Sequence, residues 1–361
     1  MKIKSIHLEN FRNFESIDVS FDDINIIWGE NAQGKTNLIE AIYLFTGAKS
    51  FRGAKDKELI RFGCEKSSLR LEFLSDIREQ SAEIIIKDKR SVSLNGVKKK
   101  NSAELSNEIK AVVFSPVHLS MVKDGPRERR RFVDGALCQL KANYRKLLKE
   151  YSRGLDQRNA LLKDIYRHPE LEAMLYIWNQ NLAATGAKII YQRLKYLEAL
   201  TPYVKNIFSG ISSNREELDL KYSFYDGIPD LRELEKKLLK EYENSYSNDV
   251  LNRTTSVGPH RDDIEILING KSARIYGSQG QQRSCVLALK LAEAALLEEM
   301  TGVKPIALLD DVMSELDETR QDYILNNIKS SQLFVTCCDK ETILRLKEGK
   351  TIRIENGEVI N

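Results

Sequence analysis

Residues 29–36 read "GENAQGKT": Gly29, Glu30, Asn31, Ala32, Gln33, Gly34, Lys35 and Thr36. Glycine, four residues, glycine, lysine and threonine is the spacing of a phosphate-binding loop. The flanks suit that reading. "INIIWG" (24–29) is a short apolar run ending in glycine, fit for a deeply buried strand. "NLIEAIYLFTG" (37–47) sets Leu38, Ile39, Ile42 and Phe45 at helical spacing, with Gly47 as a stop. Glycines let the backbone curl until several N–H groups face one point, and the helix N-terminus adds partial positive charge there. Lys35 is expected to reach the β- and γ-phosphates of ATP, and Thr36 to offer its hydroxyl to Mg2+. The plain alternative, a glycine-rich turn with a surface lysine, leaves the strand and helix around it unexplained.

The far end of the chain carries a partner signal. "KPIALLDD" (304–311) is an apolar strand ending in Asp310 and Asp311. Beside a phosphate loop, such a strand end holds Mg2+. Asp310 is expected to serve the metal and Asp311 to orient or deprotonate an attacking water. A helix, "ETRQDYILNNI" (318–328), and a strand, "QLFVTC" (332–337), follow. Strand alternating with helix predicts a parallel sheet. In the first third, "SIDVSF" (16–21), "SLRLEFL" (68–74) and "SAEIIIK" (81–87) alternate as half-buried strands do, and "AVVFS" (111–115) is a further strand. Asn95-Gly96 and Asn269-Gly270 predict two-residue hairpin turns. The α/β part is therefore split between the two ends of the sequence.

The middle is helical. Val133, Leu137, Leu140, Tyr144, Leu147, Tyr151 and Leu155 step by three and four, predicting one amphipathic helix with a coiled-coil-like seam, broken at "RHPE" (167–170). Leu171 to Leu197 carries the same pattern, and "PDLRELEKKLLKEYENSY" (229–246) reads as a third helix. Each arm is at most roughly 40 residues, or about 60 Å.

Totals bound the class. The 361 residues exceed one ordinary domain core, and 42% are apolar. The net charge is only +3, so nucleic-acid binding would need local basic patches. The five cysteines form no C-x-x-C pair, which argues against a disulfide framework or zinc site. The opening "MKIKSIHLENFRNF" lacks a signal-peptide apolar core, and no apolar run approaches a membrane span. A cytoplasmic protein without membrane contact is expected.

"YGSQGQQRS" (276–284) precedes a long apolar helix. Ser278 and Gly280 there suit a plain helix cap or a second anion site. The order along the chain distinguishes the readings. A phosphate loop, then S-Q-G-Q-Q before a helix, then an acidic strand end, then "SELD" (314–317), resembles an ABC-type ATPase head of the SMC-like kind. Within that group the chain resembles the RecF family of DNA repair proteins. "IHLENFRNFE" (6–15), "GENAQGKTNLIEAIY" (29–43), "FSPVHLSMVKDGPRERRRFVD" (114–134), "SVGPHRDDIEILING" (256–270) and "LLDDVMSELD" (308–317) carry the resemblance.

That resemblance implies an α/β fold: a P-loop ATPase head split in sequence (1–118 and 251–361) with an inserted, mainly helical arm domain (119–250). It implies that two heads sandwich two ATP molecules. Ser278 and Gly280 would touch the γ-phosphate held by the partner copy's loop, and Asp317 would lie at the dimer seam. Arg12 and Asn13 match a stretch near the nucleotide. It further implies a weak ATPase that binds duplex and gapped DNA without sequence preference. Such a protein acts with RecR and RecO to promote RecA loading during DNA repair and replication. Three positions depart from transporter-type heads: Asp311 replaces a glutamate, Thr336-Cys337-Cys338-Asp339 replaces a switch histidine, and "VVFSPVHL" (112–119) lacks the expected glutamine. A transporter ATPase subunit, a small-substrate P-loop enzyme and a structural SMC-like protein are the rival readings.

Two basic stretches are candidates for DNA. Arg127 and Arg130, with Arg129 and Arg131, sit where a helix begins and oppose its dipole. They need either phosphates or acidic neighbours such as Glu128 and Asp134. Lys98, Lys99 and Lys100 follow a hairpin and suit either a DNA backbone or a lysine-protected sheet edge.

Overall fold

The computed structural model describes residues 1–75, 78–165, 168–223, 225, 227–328, 332–338 and 349–360. The predicted parallel sheet is present. Its order is Glu358–Ile360, Lys350–Glu355, Ile24–Trp28, Leu333–Cys337, Ile306–Leu309 and Ala111–Phe114, parallel throughout except for the first pair. A second sheet is antiparallel and runs Phe14–Ser20, Lys2–Phe11, Ser67–Ser75, Arg78–Ile86, Arg90–Leu94 and Val97–Lys98. Both predicted Asn-Gly turns form, with φ of 50° and 75° at each pair.

Alternation along the parallel strands assigns successive side chains to two cores. Ile27, Val113, Ile306, Leu308 and Phe334 face the helix Lys35–Leu44, which is packed between the two sheets. Ile26, Val112, Phe114, Leu309 and Val335 face the helices Gln279–Thr301 and Glu318–Ile328. A sheet buried on both faces needs apolar residues at every position, which is why these strands read as continuous runs.

Gln279–Thr301 joins this head to the helical lobe. Its Leu287, Leu291 and Leu297 belong to the sheet core, whereas Cys285, Val286, Leu289 and Leu296 belong to the lobe core. A helix used on both sides is apolar nearly all round, as its sequence is. The lobe is built on Glu172–Ile211, a helix of 40 residues, with Tyr144–Asp164 packed along it and Gly154 against Leu182. A three-stranded sheet, Lys271–Ser272, Ile264–Ile268 and Leu218–Tyr222, completes the lobe.

One expectation is corrected. The helix predicted to run unbroken up to "RHPE" is two helices, Pro126–Leu140 and Tyr144–Asp164. At the junction Lys141 is extended (φ −131°, ψ 103°). The apolar stepping continues across the break because both helices bury residues in the same lobe core. Periodicity alone does not see a bend that keeps its phase.

Candidate nucleotide site

The parallel strands deliver their C-terminal ends to one edge. Register sets Cys337 beside Trp28, Leu309 beside Val335 and Leu309 beside Phe114. The residues that follow each strand, Gly29, Cys338, Asp310 and Ser115, therefore converge. This is the edge at which open α/β sheets bind ligands.

The loop at 29–36 is shaped by close approaches. A Cβ on Gly29 (φ 155°) would fall 2.2 Å from the Ile354 carbonyl oxygen. One on Gly34 (φ 121°) would fall 2.8 Å from Asn13 Nδ2. Ala32 is also left-handed, at φ 66°. Asn13 Nδ2 donates to the Gln33 carbonyl at 2.7 Å, and Asn37 donates to Asn13 Oδ1 at 2.7 Å. Asn31 accepts from the Cys338 thiol at 3.0 Å.

Lys35 is buried. Its ammonium donates to the carbonyls of Gly29 and Glu30, each at 2.9 Å, and lies 3.1 Å from Cys338 Sγ. Thr36 Oγ1 donates to Asp310 Oδ1 at 2.7 Å across 274 residues of sequence. Asp310 is buried, with Ser115 Oγ at 3.5 Å from its other oxygen. Burial pushes its carboxyl up to about 6; the hydrogen bond from Thr36 opposes that and the charge of Asp311 adds to it. Asp311 takes a left-handed backbone, φ 50°, and its N–H donates to Thr336 Oγ1 at 2.8 Å. A hydroxyl and a carboxylate sharing one point form an all-oxygen donor set, the kind that suits Mg2+.

A cavity of about 960 Å³ opens at Asn13 and Asn37, which adjoin the loop, although no residue of 29–36 lines it. Arg12, Asn13, Asn37, Arg52, Arg61 and Phe62 are among its walls. Arg12 stands in that wall with its guanidinium held by Glu40, at 2.9 and 3.1 Å. Arg52, Arg61, Phe62 and Ser115 were not singled out from the sequence, and Thr336 was noted only where a switch histidine was expected. The strand-end rule alone offers a signal for Ser115 and Thr336; the others follow no motif.

Ser278 caps Gln279–Thr301. Its hydroxyl accepts from the Gln281 N–H at 3.2 Å, and Gln281 Oε1 accepts from the Ser278 N–H at 2.7 Å, a reciprocal capping box. Among the described residues no hydrogen bond joins Ser278 or Gly280 to residues 29–36. The "SELD" turn is stitched to the capped helix instead. Asp317 pairs with Arg320, Arg320 Nε donates to Ser284 Oγ at 2.9 Å, and Arg283 pairs with Glu315 at 2.6 Å. Asp339 lies outside the described residues.

The basic run at 127–131 divides. Arg127 is exposed. Arg129 grips Asp263 at 2.7 and 2.8 Å, Arg130 donates to the Asp262 carbonyl at 2.5 Å, and Arg131 donates to the Ser50 carbonyl at 2.9 Å. The stretches "GPRERRRFVD" and "GPHRDD" thus clasp each other. Nearby, His260 meets Tyr151 Oη at 2.8 Å, and burial pushes its imidazole down to about 4. Lys98 and Lys100 are exposed and Lys99 half-buried at the sheet edge.

The family model for the RecF/RecN/SMC N terminal domain matches residues 2–361. The DNA replication and repair protein RecF of Agathobacter rectalis is 42% identical over 364 aligned residues, 99% of each chain. That of Ruminiclostridium cellulolyticum is 43% identical over 349, 94% of each. A solved structure of the recombination mediator protein RecF with ATP, from the RecFOR pathway, superposes with a TM-score of 0.92 at 38% identity, covering 99% of this chain and 97% of that one. The Smc head domain of Pyrococcus furiosus superposes with a TM-score of 0.54 at 17% identity over 99% of this chain and 96% of that one, a likeness of fold alone.

Proposed function

The chain belongs to the RecF family of DNA replication and repair proteins, and from that premise we propose that it is an ATP-operated, DNA-binding recombination mediator. The observation that carries this reading is the meeting of Lys35, Thr36 and Asp310 at the strand ends.

ATP hydrolysis is the general activity of this ABC-like family; slow hydrolysis is our reading for this chain. In it, the loop N–H groups and the helix Lys35–Leu44 seat the triphosphate. Lys35 exchanges two neutral carbonyls for phosphate oxygens, which make stronger, charge-assisted hydrogen bonds. Thr36 and Asp310 hold Mg2+, which neutralises phosphate charge when bound. Asp311 orients the attacking water, its backbone fixed by Thr336. The cavity beside the loop takes the base and ribose.

Two copies close on two nucleotides, with Ser278 and Gly280 of each facing the other's γ-phosphate and Asp317 at the seam. What supports this is that, among the described residues, Ser278 and Gly280 make no hydrogen bond to residues 29–36 of their own chain and Ser278 is held in a capping box. Closed on ATP, the pair grips duplex DNA at gaps and works in the cytoplasm with RecR and RecO to promote RecA loading. Contacts to the DNA backbone fall to Lys98, Lys100 and Arg127, which face solvent, rather than to Arg130. Binding is sequence-independent and weakens steeply with salt.

Light scattering on the eluting protein, with and without ATP, tests the reading. Wild type is expected to dimerise with ATP, and Lys35→Met to remain monomeric. A wild-type chain that stays monomeric at saturating ATP and DNA would overturn the sandwich.

A further inference from the structure

Thr336 lies in the strand Leu333–Cys337 and is fully buried. Parallel register pairs Leu309 with Val335, so Asp310 and Thr336, one residue further on, are neighbours. Alternation along the two strands gives both the face of Leu308 and Phe334, which is turned to the helix Lys35–Leu44. Asp311 would point away from that face if its strand ran on. Instead its backbone is left-handed, φ 50°, a conformation uncommon outside glycine, asparagine and aspartate. The turn brings its carboxylate back. Thr336 Oγ1 then stands 3.3 Å from Asp310 Oδ1 and 3.3 Å from Asp311 Oδ1.

A hydroxyl has one proton to give and two lone pairs. One lone pair of Thr336 Oγ1 takes the Asp311 N–H at 2.8 Å. The proton serves either carboxylate well only at the expense of the other. At 3.3 Å, long for an O–H···O bond, it is committed to neither. The two carboxylates differ in what else holds them. Asp310 also accepts from Thr36 at 2.7 Å and has Ser115 Oγ at 3.5 Å. Among the described residues, Thr336 is the one hydrogen-bond donor to the carboxylate of Asp311.

We propose that Thr336 is a positioning residue for ATP hydrolysis: its hydroxyl turns fully to Asp311 once Asp310 is engaged at the metal position, and so fixes the carboxylate that orients the attacking water. The proposal rests on the ATPase reading above and deepens it, tying the second carboxylate to the state of the first. Competition for one proton is the physical basis. Asp310 oxygens engaged with a cation beside Thr36 are poorer acceptors, whereas Asp311 keeps its charge and draws the hydroxyl. Held through one oxygen, the Asp311 carboxylate loses rotational freedom and leaves its other oxygen for the water.

Thr336→Val removes the hydroxyl at nearly constant volume, and Thr336→Ser keeps it. The full-length variants are compared in ATP turnover, in ATP affinity by titration, and in Mn2+ bound with the non-hydrolysable analogue AMP-PNP, counted by electron paramagnetic resonance. Thr336→Val is expected to lower kcat about 10²-fold while ATP affinity and bound Mn2+ stay close to wild type, and Thr336→Ser to restore most of the rate. In an Asp311→Asn background, Thr336→Val should cost no more than about twofold further, because it acts through that carboxylate. An equal loss in both backgrounds, loss of Mn2+ from Thr336→Val, or no rescue by serine overturns the proposal. If Thr336→Val does not fold, Thr336→Cys, whose thiol donates only weakly, carries the comparison: turnover should fall about tenfold or more, and wild-type turnover overturns the proposal. If a folded Thr336→Val turns over ATP like wild type, this inference fails and the ATPase reading stands. If wild type neither binds nor hydrolyses ATP, both fall.

Discussion

Glu40 is a buried carboxylate that holds Arg12 and Ser50 beside the candidate nucleotide site. It lies in the helix that begins at Lys35, with 0% exposure. It accepts from Arg12 Nε at 2.9 Å and Nη2 at 3.1 Å and from the Ser50 hydroxyl, with Arg52 at 3.9 Å. Glu40→Ala strands a guanidinium that is only 19% exposed and leaves Ser50 without its acceptor. Hydrogen bonds to charged groups contribute about 1.5–3 kcal/mol each, and removing one partner of a buried pair costs about 3–5 kcal/mol. Arg12 keeps some water, so the low end applies, about 3 kcal/mol. At a denaturant slope of about 3 kcal/mol/M, the urea midpoint falls by about 1 M. Affinity for ATP should fall too, because Arg12 and Arg52 form part of the cavity wall. Arg12→Ala in the same chain should recover part of the loss, giving a coupling of about 1–3 kcal/mol in the double-mutant cycle. A Glu40→Ala midpoint within about 0.2 M of wild type would show that this carboxylate does not organise the site.

Three further outcomes are expected. Gly29→Ala must displace the Ile354 carbonyl or the loop itself, so thermal melting should show clear destabilisation and nucleotide titration a loss of ATP binding; normal values for both would contradict the 2.2 Å approach. Asp311→Asn should keep ATP binding, slow turnover by about 10²-fold or more and let the ATP-bound dimer accumulate; a folded variant unable to bind ATP would remove Asp311 from the water-activating role. Asp262 has its carboxyl raised from 3.8 to about 6, chiefly by burial, so the folded state binds more protons than the unfolded between those values. Its contribution is present at low pH and lost as pH rises to about 6. Asp262→Asn should therefore gain stability relative to wild type, by up to about 3 kcal/mol, between pH 4 and pH 7. Urea melts at the two pH values measure it, and His260, present in both proteins, cancels from the difference.

Much of this protein was legible because its signals are local. The phosphate loop lies within one strand, one turn and the start of one helix, so Gly29, Gly34, Lys35 and Thr36 reveal it by spacing. The apolar runs at 24–28, 306–309 and 333–337 reveal strands buried on both faces. The caps at Ser278 and Gly302 reveal where the long helix starts and stops. The basic run at 127–131 was harder, because charge on a helix start does not say whether it faces phosphate or protein. The fold turned Arg129 and Arg130 inward onto Asp263 and Asp262, and left Arg131 exposed while it donates to the Ser50 carbonyl.

By itself, then, the sequence determined the elements, the loop at 29–36 and the carboxylates at the end of the strand Ile306–Leu309, since each depends on neighbours a few residues away. Tertiary structure decided which distant residues share the site. Strand register brings Ser115, Thr336 and Cys338 to the edge where Asp310 meets Thr36, and packing of the antiparallel sheet places Arg52 and Phe62 in one cavity wall with Asn13 and Asn37. Backbone hydrogen bonding between strands fixes those juxtapositions, and it joins residues hundreds of positions apart through pairing that no local pattern encodes.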